Sequence, residues 1–314
     1  MPLRTRLTDT LEIEHPIIQG GMAWTATAEL AAAVSEAGGL GVIGAGHMPT
    51  DVLRDQIRSA KALTDRPFGV NLMLLTPHID DLVDMVLAEG VHAVTTGAGN
   101  PGKYMPSFKE RGIKVLPIAP SVALAKRLEA IGADAVIGEG MEAGGHIGDL
   151  TTMVLIPQLV DAVSVPVVAA GGVADGRGIA AAFSLGAEGV QVGTRFMCAT
   201  ECTIHPAVKQ RVLKARDRDT VVTGYSTGHP VRVLKNKLTR ILEELDRENR
   251  VDEIERLGEG KLALCMREGD VEMGSVMAGQ CSALVDREQP AAEIVSEMVA
   301  EAQSIMRRLC ALAD

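Results

Sequence analysis

Apolar residues in this chain come in short runs, each tipped by glycine and followed by a segment whose apolar positions recur every three or four residues. Pro16 to Gln19 is the first run and ends at Gly20-Gly21; Ala26 to Ala37 then reads as an alanine-rich amphipathic helix closed by Gly38-Gly39. Leu40 to Ile43 is a second strand ending at Gly44-Ala45-Gly46, and Pro49, Thr50 and Asp51 open a helix to about Leu63. Phe68 to Leu75 is the third strand, interrupted by one amide, Asn71. A helix over 79–89, a strand over 91–96 and a wide loop from Gly97 to Gly102 follow. The second half repeats the scheme with strands at Lys114 to Pro117, Ala133 to Ile137, Val165 to Ala170 and Gly189 to Val192. Helices from Ser121 to Ile131, from Thr151 or Thr152 to Val163, and from Gly176 to Leu185 separate them. Eight buried-type strands alternating with helices, without hairpin signals, predict an α/β fold, a closed (β/α)8 TIM barrel. An open doubly wound sheet fits less well, because no Gly-x-Gly-x-x-Gly opens the first unit.

Beyond Thr194 the pattern changes. Residues 205 to about 260 read as charged and helical around a Gly228-His229-Pro230 turn; 269–281 are glycine-punctuated, and Glu293 to Leu312 form a closing amphipathic helix. The division this predicts is a barrel of residues 1–200 and 282–314, including a docking helix, with 201–281 as a smaller, mainly helical cap on the substrate side.

Composition narrows the function classes. A hydrophobic fraction of 46% over 314 residues suits a large core, and 33 glycines suit repeated strand-to-helix turns. Net charge of −10 and only 2% aromatic residues argue against nucleic acid and anionic membrane as partners. No apolar segment is long enough to span a bilayer and the first residues lack a signal-type apolar stretch, so a cytoplasmic protein is expected. Five cysteines without Cys-x-x-Cys pairs do not make a disulfide framework. Cys198, Cys202 and His205 make only half a metal site, and read better as buried small residues beside a loop histidine, so no metal is expected.

The chemistry gathers where strands end. Glu139-Gly140-Met141-Glu142-Ala143-Gly144-Gly145-His146-Ile147-Gly148 follows the sixth strand and sets an imidazole, His146, on a glycine loop at the face where barrel chemistry collects. Such a group can donate a proton or hydrogen bond to an oxygen gaining charge. Gly171-Gly172 and Gly193-Thr194 tip the seventh and eighth strands, where side-chain-free backbone suits a phosphate. Gln19-Gly20-Gly21-Met22-Ala23 offers a flat surface for a planar ring. Asn71, an amide that would lose roughly 1–3 kcal/mol if buried unpaired, pairs either with nearby backbone or with the polar edge of such a ring. Glu139 reads as an acceptor for a ligand hydroxyl and Glu142 as a solvated neighbour.

These motifs have a collective likeness. Gln19-Gly20-Gly21-Met22-Ala23, Gly69-Val70-Asn71, Thr96-Gly97-Ala98-Gly99-Asn100-Pro101, Glu139-Gly140-Met141-Glu142-Ala143-Gly144-Gly145-His146, Ala169-Ala170-Gly171-Gly172, Gly193-Thr194-Arg195-Phe196 and Met277-Ala278-Gly279-Gln280 occur in this order. From about residue 4 to 300 the chain resembles the flavin-dependent enoyl-[acyl-carrier-protein] reductases, type II, of the nitronate monooxygenase (2-nitropropane dioxygenase) superfamily. Gly99 to Tyr104 and Gly228-His229-Pro230-Val231-Arg232 resemble the reductase branch in particular. The resemblance implies FMN, with its phosphate on Gly171, Gly172, Gly193 and Thr194 and its ring against Gly21, Met22 and Ala23. Asn71, Glu139, Gly145, Met277 and Gln280 would surround the ring, with His146 as the catalytic residue. It also implies NADPH or NADH as co-substrate, an enoyl-acyl-carrier-protein or enoyl-CoA substrate, stimulation by a monovalent cation, and a homodimer. Arg232, Lys235, Lys237 and Arg240 would suit an acidic carrier protein, or simply form a solvated helix face. The competing readings are a nitronate monooxygenase and, in another class, a flavin-binding module without turnover.

Overall fold

The structure, a computed structural model, describes residues 3–46 and 48–312; the predicted barrel's end residues 1, 2, 313 and 314 lie outside them. The strands are β1 (Ile17–Gln19), β2 (Gly41–Gly44), β3 (Phe68–Met73), β4 (Ala93–Gly97), β5 (Lys114–Pro117) and β6 (Val136–Glu139), then β7 (Gly145–His146), β8 (Val167–Ala170), β9 (Gly189–Val192), β10 (Thr220–Thr223) and β11 (Val231–Leu234). Parallel pairing runs β2-β3-β4-β5 on one side and β1-β9-β8-β6 on the other. Two bridges join these halves into a closed barrel, Ile18 with Leu40 and Ile118 with Ile137. At the first seam the backbone ladder is short, and a side chain continues it. Fully buried Gln19 donates from Nε2 to Val42 O at 3.1 Å and accepts from Val42 N at 3.2 Å, so its amide stands in for a peptide unit.

Alternation along the strands sorts the core. Ile18, Leu40, Val42, Ala93, Leu116, Ile137 and Val168 fill the barrel interior, while outward residues pack under the surrounding helices. The interior is plugged at its amino end by a helix absent from the sequence-based prediction, Arg6–Leu11, which contributes Leu7 and Leu11. Thr5 caps that helix reciprocally with Thr8, and its hydroxyl donates to Glu188 O at 2.7 Å. The closing helix spans Ala291–Cys310 and lies so near the helix Gly176–Ser184 that a Cβ on Gly176 would stand 2.4 Å from Ala302 N.

The region expected to be mainly helical also holds two strands. Helices Pro206–Leu213, Lys237–Arg247, Val251–Gly258 and Lys261–Glu268 do form, but Thr220–Thr223 and Val231–Leu234 pair antiparallel between them. The β-branched runs Thr-Val-Val-Thr and Val-Arg-Val are only a few residues long and flanked by charge, so their periodicity is lost in a helical reading. This ribbon pairs β11 with β7, the loop carrying His146, in a second, three-stranded sheet.

Candidate active site

The barrel mouth begins one layer above the apolar interior. Two residues on from inward-facing Ala93 and Ile137, the strands place Thr95 and Glu139; β3 and β9 place Asn71 and Gln191. Asn71 donates from Nδ2 to Thr95 Oγ1 at 2.9 Å, which resolves its partner as a neighbouring side chain. Thr95 and Gln191 were not singled out in the sequence. Gln191 is a lone polar residue in an apolar strand and Thr95 stands beside Thr96, but only the pleat tells which face each occupies. Glu139 keeps a little surface open to the mouth, yet burial pushes its carboxyl up to about 7, so near neutrality it can donate as well as accept.

The first rim segment lies across this layer. A Cβ on Gly21 would fall 2.1 Å from Asn71 Cβ, so only glycine lets the amide and the loop share that space. Met22 packs its backbone against Gly44 and brings Sδ within 3.5 Å of where a Gly193 Cβ would be; Ala23 touches the position above Gly46.

Opposite, Gly171 and Gly172 both adopt left-handed φ, +93° and +76°. Gly193 precedes the single-turn helix Thr194–Met197, and Thr194 Oγ1 accepts from Gly279 N at 2.9 Å. Gly193 itself has φ of −106°, and a Cβ there would meet only the flexible Met22 side chain. Neither strain nor packing within the protein requires glycine at that point. A missing Cβ with only one flexible side chain near it, at a helix start, fits a group with several acceptor oxygens, as the phosphate of FMN has.

The loop carrying His146 is held from three sides. Glu142 is not a merely solvated carboxylate: it accepts from Thr152 N at 2.9 Å and Thr152 Oγ1 at 3.0 Å, capping the helix Thr152–Val160. Glu142 O accepts from Gln280 N at 2.9 Å, and a Cβ on Gly144 would stand 2.6 Å from Ala278 C, so the 277–280 segment lies flat on this loop. Gln280 itself is exposed, while Met277 Sδ is 3.6 Å from the Cβ position of Gly145. On the third side β11 pairs Val231 with His146 and Arg232 with Gly145, and Ile147 N donates to Pro230 O at 3.1 Å. His146 stands exposed on the rim, above the polar layer.

Other sequence candidates fall elsewhere. Cys198 and Cys202 are buried and their thiols are pushed up to about 12 and about 11 by desolvation, while His205 Nδ1 accepts from Ala207 N at 3.1 Å and caps a helix. Lys235, Lys237 and Arg240 are exposed, but Arg232 turns inward and leaves that basic cluster. Among the described residues no helix is long and apolar enough to cross a membrane.

A closed barrel with a polar mouth layer and a rim of glycines at the strand ends is an α/β enzyme scaffold with its candidate site at the carboxyl face. The chain belongs to the nitronate monooxygenase family, whose model matches residues 4–84 and 75–301. It is thereby an oxidoreductase of a flavin-dependent superfamily. The structure of FabK from Thermotoga maritima is 51% identical with a TM-score of 0.96, covering 98% of this chain and 99% of that one. A probable nitronate monooxygenase of Staphylococcus saprophyticus is 36% identical, covering 98% of this chain and all of its own. The (3aS,4S,5R,7aS)-5-hydroxy-7a-methyl-1-oxo-octahydro-1H-indene-4-carboxyl-CoA dehydrogenase of Mycobacterium tuberculosis is 43% identical over 77% of this chain and 69% of its own length.

Proposed function

We propose that the protein reduces trans-2-enoyl thioesters to acyl thioesters, with FMN as cofactor, NAD(P)H as electron source and enoyl-acyl-carrier-protein or enoyl-CoA as substrate. The observation that carries this reading is the 51% identity with FabK over nearly the whole of both chains. The carboxyl-CoA relative adds a second thioester-handling protein to the same family. Bound FMN would supply two-electron chemistry between NAD(P)H and the enoyl double bond.

The chain's own residues do the rest. Gly171, Gly172, Gly193 and Thr194 would hold the phosphate, and Gly21, Met22 and Ala23 would support the ring. Asn71 and Glu139 would meet its polar edge, and Gly145, Met277 and Gln280 would close over it. His146, exposed on the rim beside Gly145, would donate to the thioester oxygen as negative charge develops there. The 201–281 segment would act as a substrate-side cap, and the assembly would be a homodimer.

One cuvette tests the reading. The purified protein should be yellow, bleach anaerobically with NAD(P)H and regain its colour on adding crotonyl-CoA. His146→Ala should retain flavin while losing about a hundredfold or more in turnover. Full turnover in that variant removes His146 from the mechanism. The family model favours a second reading, oxidation of alkyl nitronates. Oxygen uptake with propionate 3-nitronate, independent of NAD(P)H, would establish it. A yellow protein that oxidises neither NAD(P)H nor nitronate would be a flavin-binding module.

A further inference from the structure

The last residue of the Gly228-His229-Pro230-Val231-Arg232 motif is a buried cation. Arg232 is 5% exposed, and among the described residues its side chain donates to neutral oxygens, from Nε to Met141 O at 3.0 Å and from Nη1 to Thr220 Oγ1 at 3.1 Å. Burial pulls its pKa down, with Tyr225 and Glu142 opposing from a distance. A guanidinium desolvated without a hydrogen-bonded carboxylate is costly, which invites a role beyond the stability of the ribbon.

The geometry supplies one. Met141 lies near the start of the glycine loop; Gly145 and His146 lie at its end, where the backbone of Arg232 and Val231 pairs with them. A single strand of the ribbon thus grips the loop at both ends, with the side chain at one and the backbone at the other. Gly144 stands between these grips and Gly145, at φ +79°, at the second of them, which leaves the segment little stiffness of its own. Thr220 ties the same guanidinium back to β10. The ribbon is in turn fixed to the helix Lys237–Arg247 by Asp246, which accepts from Gly224 N at 2.6 Å and from Ser226 Oγ at 2.7 Å.

We infer that Arg232 is a positioning residue for the reaction, its guanidinium fork setting where the His146 imidazole stands over the mouth. This rests on the proposed role of His146. A displacement of about 1 Å at a reacting group can cost about a hundredfold in rate, and that is the scale of effect expected.

The test is a double-mutant cycle with crotonyl-CoA. Arg232→Met should lower kcat by about a hundredfold while FMN affinity and thermal midpoint stay near wild type. Combined with His146→Ala it should cost nothing further, because both changes remove one function. Arg232→Lys should not restore turnover, since a point charge cannot bridge both oxygens. Additive losses in the double variant, loss of FMN in step with kcat, or full rescue by lysine would each overturn the inference. If Arg232→Met does not fold, Thr220→Val carries the same cycle at smaller amplitude, with additivity again the overturning result. A wild-type protein inert toward crotonyl-CoA would sink the reductase reading instead. The cycle then runs on oxygen uptake with propionate 3-nitronate, where the same non-additivity is required.

Discussion

Glu139 shows how one residue's environment changes its expected part. In the sequence it is a carboxylate at a strand end; in the barrel it faces inward, and burial raises it from 4.5 to about 7. Between these two values the folded chain keeps a proton that the unfolded chain has released. Its contribution to stability is therefore intact in acid and is lost as pH rises through the folded value. Glu139→Gln should make the flavin-free protein more stable than wild type by on the order of 3 kcal/mol near pH 8, the gain vanishing toward pH 4. Urea titrations at both pH values check this, and an equal gain at both would reject the buried-acid account. Gly193 gives the complementary case, a residue whose smallness serves nothing inside the protein. Gly193→Ala should leave unfolding within about 0.5 kcal/mol of wild type, yet weaken FMN at least about tenfold by flavin fluorescence titration. At this scale the site was largely legible, because glycines at strand tips and an amide in an apolar run are compositional signals. Thr95, Gln191 and Arg232 were not. Their meaning depends on which way a strand faces, and an arginine beside lysines looks like surface until a partner strand covers it.

The elements were legible in proportion to their burial. Parallel barrel strands are covered on both faces and read as unbroken apolar runs, and the helices between them carry capping signals such as Ser121, whose hydroxyl accepts from Leu124 N at 3.3 Å. The ribbon β10–β11 escaped because its strands have four residues each and one inward position is an arginine. The plug helix escaped because six residues give too few turns for periodicity to show. The closing helix was legible from its apolar stripe, though its seat was not. That seat is Gly176, where any side chain would meet backbone of residues 298 and 302. Gly176→Val should cost about 1–3 kcal/mol and raise amide exchange specifically over 291–310. Unchanged exchange there would mean the closing helix is held by other contacts.

For the molecule as a whole, the alternation of strand and helix was enough to predict eight-fold closure, but not how the circle is completed. The last barrel strand, β9, pairs with β1 by a regular parallel ladder, and hydrophobic pattern carries no information about the weaker seam between β1 and β2. Here a short bridge and the Gln19 amide make that join, directly before the rim segment Gly20 to Ala23. The division into barrel and cap has a counterpart in chemistry. The proposed cofactor surfaces would come from the ends of β1, β3, β6, β8 and β9, which the barrel fixes, whereas the imidazole is carried by a segment that has joined a separate sheet.

That separation means the His146 imidazole takes its coordinates from residues 220 to 234, some eighty positions further along the chain. Changes confined to this ribbon can tilt or withdraw that imidazole without touching the barrel beneath it. On the proposed function, editing this overhanging arm alone would retune turnover and leave flavin affinity as it is.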